Sequence, residues 1–124
     1  MEREELARNI EKAFGFLETK YGFGKPVRKD YGREVFFEYE RNADTVSISF
    51  EVGSAPLVEV FIPVEGTDYT PVPWAVKNNI QRARLFTKLQ VNQKFQPNDS
   101  KKVAKYLGEM AEQFESSQAE WLNA

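Results

Sequence analysis

The side chains in this sequence best suited to chemistry are carboxylates on strand-like segments. Glu34, Phe36 and Glu38 alternate with Val35, Phe37 and Tyr39; Ser47, Ser49 and Glu51 alternate with Val46, Ile48, Phe50 and Val52; Glu59 and Phe61 alternate with Val58, Val60 and Ile62. A period of two puts each set on one face of a strand. If hairpins keep their apolar sides together, Tyr39 meets Val46 and Phe37 meets Ile48, while Phe50 meets Val60 and Ile48 meets Ile62. That register aligns Glu34, Glu51 and Glu59 as one row of acids, beside a row of Phe36, Ser49 and Phe61.

Such a row can serve solubility as a solvated face, bind a cationic partner, or hold a hard cation or work as an acid and base. The last use requires concavity and desolvation that an open sheet lacks. Aromatics beside acids are characteristic of an interaction patch, so Glu34, Phe36, Glu38, Glu51, Glu59 and Phe61 are the candidate partner-binding residues. Lys29 or Arg28, from a preceding strand, could instead lie over the acids. With no histidine and no cysteine among its 124 residues, the chain offers no thiol nucleophile, no imidazole base and no Cys/His zinc site. The expectation is no catalytic residue, no metal site and no cofactor. Gly22-Phe23-Gly24-Lys25 lacks phosphate-loop spacing, and Pro26 stands where a magnesium-binding hydroxyl belongs.

The elements that must position this face follow from periodicity. Leu6, Ile10, Ala13, Phe14 and Leu17 recur at helical spacing and predict a helix from Glu2 to Tyr21, ended by Gly22 with Phe23 folding back. A short strand near Val27, a turn at Tyr31-Gly32 and the three runs above predict a three- or four-stranded antiparallel meander. Residues 65–73 read as a loop, and Tyr69 and Trp74, flanking Pro71 and Pro73, pin the crossing or form a tip. Beyond Trp74 the pattern is mixed, and a helix is the expectation, although Leu85, Thr87, Leu89 and Val91 alternate like a strand. Phe86 and Phe95 read as core. A long helix then opens at Asp99 or Ser100 and buries Val103, Leu107, Met110, Phe114 and Trp121 on one face. The fold class is therefore α+β in a single domain, 1–124, with helices packed on one sheet face.

The formal charge of −2 conceals a strong asymmetry. Residues 34–70 carry eight acids against Arg41 alone, whereas residues 71–105 carry eight bases against Asp99 alone. Those bases compensate the acidic sheet and lack interleaved stacking aromatics, so nucleic acid is an unlikely partner by chemistry. The opening Met1-Glu2-Arg3-Glu4-Glu5 is too acidic for a secretory signal or transit peptide, and no apolar run reaches the ~18 residues of a membrane span. A cytoplasmic location and no membrane partner are the expectation.

The run Phe16-Leu17-Glu18-Thr19-Lys20-Tyr21-Gly22-Phe23, followed by Phe37-Glu38-Tyr39-Glu40 and Thr45-Val46-Ser47-Ile48-Ser49-Phe50, resembles uncharacterised small bacterial α+β proteins whose first helix ends in Tyr-Gly-Phe. Residues 103–122 look like their long final helix. Some proteins of this appearance are thought to be immunity factors against secreted toxins. The resemblance implies an immunity-type role; joined to the acidic and aromatic face read above, it gives the expectation of a non-catalytic protein-binding module that inhibits a basic toxin through that face. The opening helix and three strands also resemble type III secretion chaperones, which implies a chaperone-like or structural homodimer as the alternative. A small enzyme with a carboxylate site is third.

Overall fold

Two short helices replace the single one expected at the N-terminus. In the computed structural model, which describes residues 2–64, 74, 80, 82–86, 89 and 91–124, α1 spans Arg3–Ala13 and α2 spans Phe16–Tyr21. Phe14 and Leu17 are fully buried and Phe16 packs on the same core. One straight helix cannot turn positions 14, 16 and 17 toward one core, so the chain bends at Phe14-Gly15. There Leu17 N–H donates to the Phe14 carbonyl at 3.1 Å. Gly22 ends α2 with φ 76°, in the left-handed region open to glycine. Phe23 N–H then donates to the Leu17 carbonyl at 3.0 Å, and its ring packs against Trp121 at 6.0 Å.

The sheet is antiparallel throughout, in the order β1-β2-β3-β4-β5. Its strands are β1 (Val27–Tyr31), β2 (Glu34–Arg41), β3 (Asp44–Glu51), β4 (Leu57–Pro63) and β5 (Arg82–Phe86). The α+β class is as expected, and the fifth strand corrects the helix expected beyond Trp74. The β-pairing of 82–86 along β4 outweighs the weak helical spacing of Val76, Ile80 and Ala83, and Ala83 is buried on the core side opposite Ile62. Residues 65–73, with the loop expectation and Tyr69, lie outside the described residues.

One face of the sheet carries Val35, Phe37, Tyr39, Val46, Ile48, Phe50, Val58 and Val60, all buried. It is covered by α1 and by α3 (Ser100–Ser117), whose Val103, Leu107, Met110 and Phe114 form the expected apolar stripe, whereas Trp121, expected on the same helix, lies beyond its end and is partly buried. Phe14 meets Phe114 edge-on at 6.1 Å. Asp99 caps α3, accepting the Lys101 and Lys102 N–H groups at 3.1 Å each. A last turn, α4 (Ala119–Leu122), is clamped by Arg41. Its Nη1 donates to the carbonyls of Leu122 at 2.7 Å and Tyr21 at 3.1 Å, its Nη2 to Trp121 at 3.2 Å. The guanidinium lies over the Phe23 and Trp121 rings. None of the described helices is long and apolar enough to cross a membrane.

Candidate interaction face

The opposite side of the sheet has no helix on it among the described residues. Its side chains come from alternate positions of each strand, so its make-up follows from register. Across β2 and β3 the register is the expected one: Glu34 faces Glu51, Phe36 faces Ser49, and Glu38 faces Ser47. Across β3 and β4 it is not. Ser47 faces Glu59, Ser49 faces Leu57, and Thr45 faces Phe61. The cause lies in the turn. Gly53, with φ 93°, lets Ser54 N–H close on the Glu51 carbonyl at 2.9 Å, so the chain reverses earlier than the span from Gly53 to Pro56 suggests.

This slip corrects the expected row of three acids. Glu34 and Glu51 stand together near the β1–β2 turn, and Arg33 reaches Glu51 at 3.3 Å. Glu59 instead joins Glu38 through Ser47, and Glu38 is paired with Lys29 at 2.9 Å. Hydrogen bonding to Glu38 raises the Lys29 pKa. Arg28, the other expected counter-charge, lies on the helix side and pairs with Glu4 at 2.7 Å and Asp30 at 2.8 Å. Between the two acid rows run Lys29, Phe36, Ser49 and Leu57. Tyr31 leans edge-on against Phe36 at 5.7 Å.

Phe61 requires a second correction. It points to the expected face but is only 6% exposed, because Trp74 packs edge-on over it at 5.2 Å. Trp74, itself 65% exposed, is the aromatic that this end presents to solvent. Glu34, Glu38, Glu59, Lys29, Tyr31, Phe36, Leu57, Phe61 and Trp74 line an open trough of about 680 Å³ along the strands, and Glu51 lies outside it. Its composition differs from a solvated polar surface: carboxylates, the cations Lys29 and Arg82, four aromatics from buried Phe61 to exposed Trp74, and three small hydroxyl residues line it side by side. Thr45 and Ser47 are buried at its floor.

The residue that sequence reading missed here is Arg82. Counted above only among the bases that compensate the acidic sheet, it is on β5, 5% exposed, and lines the trough. Its Nη1 donates to Ala43 O, to Thr45 Oγ1 at 3.3 Å and to Phe61 O at 3.4 Å. The alternation Arg82-Ala83-Arg84 was the available signal, since it puts Ala83 on the core face and Arg82 opposite.

No group of three or more acidic side chains suited to a metal ion occurs among the described residues. No protein-family model, curated protein or solved structure matches the chain.

Proposed function

We propose that this chain is a non-catalytic cytoplasmic binding module of the immunity type, which holds a basic protein partner against the open face of its sheet. The observation that carries the reading is the trough itself. Among the described residues no helix covers this sheet face, which bears Glu34, Glu38, Glu51 and Glu59 around the partly buried Phe36 and the exposed Trp74. The acids would speed encounter with a cationic surface and select against acidic ones, and the aromatics would slow dissociation. Phe61 contributes indirectly, as the support on which Trp74 rests.

Growth rescue tests this. The chain, as wild type and as the Glu34→Lys/Glu38→Lys double variant, is co-expressed with basic toxin candidates. Rescue by the wild type and its loss in a folded double variant is the expected result. Rescue that survives the double variant overturns the assignment to this face.

A second reading, a structural homodimer, draws on β1. This edge strand exposes Val27 and Tyr31, the latter 63% exposed, although Arg28, Lys29 and Asp30 put charges along it that oppose strand pairing. A concentration-independent monomer in sedimentation excludes that reading.

A further inference from the structure

The trough has a lane along its middle strand. β3 contributes only small side chains to it, Thr45, Ser47 and Ser49, while the longer side chains of β2 and β4 stand on either side. Across the strands, Ser47 lies between Glu38 and Glu59, and Ser49 lies between Phe36 and Leu57. Neighbouring strands are about 4.8 Å apart, and same-face positions along one strand recur about every 7 Å. A seat between two carboxylates is thus followed, one step along β3, by a gap between two apolar side chains.

Ser47 is 7% exposed, yet its hydroxyl makes no hydrogen bond. The neighbouring Thr45 hydroxyl, by contrast, accepts from Arg82 Nη1 at 3.3 Å. The unpartnered polar atoms of Tyr39 and Arg82 are sealed from solvent, whereas Ser47 opens on the trough. A serine hydroxyl accepts two hydrogen bonds and donates one, so its full capacity is left for a ligand that enters the lane. The surrounding charge selects that ligand. Glu34, Glu38, Glu40 and Glu59 line the trough against Lys29 and Arg82, which leaves it negative. Lys29 holds Glu38 at 2.9 Å, but it comes from β1, the side away from Ser47. Glu59 is partnered as well. A carboxylate has about four lone-pair positions and a partly exposed ion pair is weak, so neither acid is closed to a second donor.

We infer that Ser47 is the seat for one arginine side chain of the basic partner, with the guanidinium between Glu38 and Glu59 and the stem over Ser49, between Phe36 and Leu57. The inference rests on the proposed binding of a basic protein to this face, and it adds the anchoring residue and its direction. An extended arginine stem holds its head group about 6–7 Å from its own Cα, which is one step along β3. The opposite direction leads to Thr45 and the buried charge of Arg82, which repels a second cation. Three acceptors side by side on three strands suit the spread donors of a guanidinium better than the compact ammonium of lysine, and a guanidinium sheds its water at lower cost.

The test is a cycle of two changes, one on each side of the contact. The probes are two nine-residue peptides with a lysine near each end, one with arginine at its centre and one with norleucine, which keeps a stem and lacks the head group. Amide-resonance titration at low salt reads affinities into the millimolar range. Ser47→Ala should weaken binding of the arginine peptide by about three- to tenfold, the loss of one hydrogen bond, and leave the norleucine peptide unchanged. Ser49→Leu, which fills the gap between Phe36 and Leu57, should weaken both. A folded Ser47→Ala variant that binds the arginine peptide as tightly as the wild type, or loses equally with both peptides, overturns the seat; unchanged binding of both peptides by Ser49→Leu overturns the course of the stem. In either case the basic-partner reading stands if the Glu34→Lys/Glu38→Lys variant no longer binds the arginine peptide. No binding of that peptide to the wild type at millimolar concentration overturns both.

Discussion

The two faces of this sheet are built from the same five strands, yet they obey different rules. On the helix side, successive apolar residues are buried under α1 and α3, and every ring has a neighbour to pack against. On the open side, acids, hydroxyls and aromatics of very different exposure share a trough, and Arg82 is buried there with its Nε unpaired. Consecutive residues of β2 therefore carry different duties: Phe37 holds the fold together, and Phe36 shapes a surface. The comparison teaches that burial alone does not mark the core here. Phe61 and Arg82 are as buried as core residues, but they face the trough.

The largest effect that could break this comparison is in the core. Phe37→Ala should destabilise by about 3–5 kcal/mol in urea unfolding, whereas Phe36→Ala should cost only about 1 kcal/mol, the value of its edge contact with Tyr31. Similar losses at both positions would mean the open face is covered. Phe61→Ala should fall between them, at about 2–3 kcal/mol, because its ring is buried beneath Trp74 without belonging to the main core. Smaller still is the effect of Tyr39, whose hydroxyl is buried without a partner. Burial raises its pKa above the ordinary tyrosine value. The native state thus resists ionisation of Tyr39, so this contribution to stability is intact below the unfolded pKa of about 10 and is lost as pH rises from there. Tyr39→Phe should leave neutral stability unchanged or raise it by about 1 kcal/mol, and should flatten the alkaline decline. Smallest is Glu51→Gln, which relieves the repulsion with Glu34 but weakens the contact from Arg33. A change within about 0.5 kcal/mol is expected by thermal unfolding.

Much of the helix side was legible in the sequence because its signals are local. The stripe Val103, Leu107, Met110 and Phe114, the Asp99 cap and the Gly22 stop each act within a turn or two of chain. The pairing of β2 with β3 was legible too, since Arg41 to Asp44 leaves the turn little freedom. The open face was only half legible. Alternation fixes which face a residue takes, but sliding β4 along β3 by whole two-residue steps preserves that alternation. The pattern could not distinguish Glu59 beside Glu51 from Glu59 beside Ser47; the turn at Gly53 made the choice. The cover of Trp74 over Phe61 joins residues from different segments, which no periodicity encodes. The five-residue β5 is too short, with Ala83 compatible with either state, to declare itself without β4 beside it.

The central claim, that the open face is the binding face, is tested most directly by following backbone amide resonances while a lysine-rich peptide is titrated into the chain. Shifts should concentrate on the trough positions of β2, β3 and β4, with Glu34, Phe36, Glu38, Ser47, Ser49 and Glu59 moving together and α3 unaffected. Shifts that gather instead on the acidic first turn of α1, at Glu4 and Glu5, or that spread evenly over all exposed acids, would contradict it.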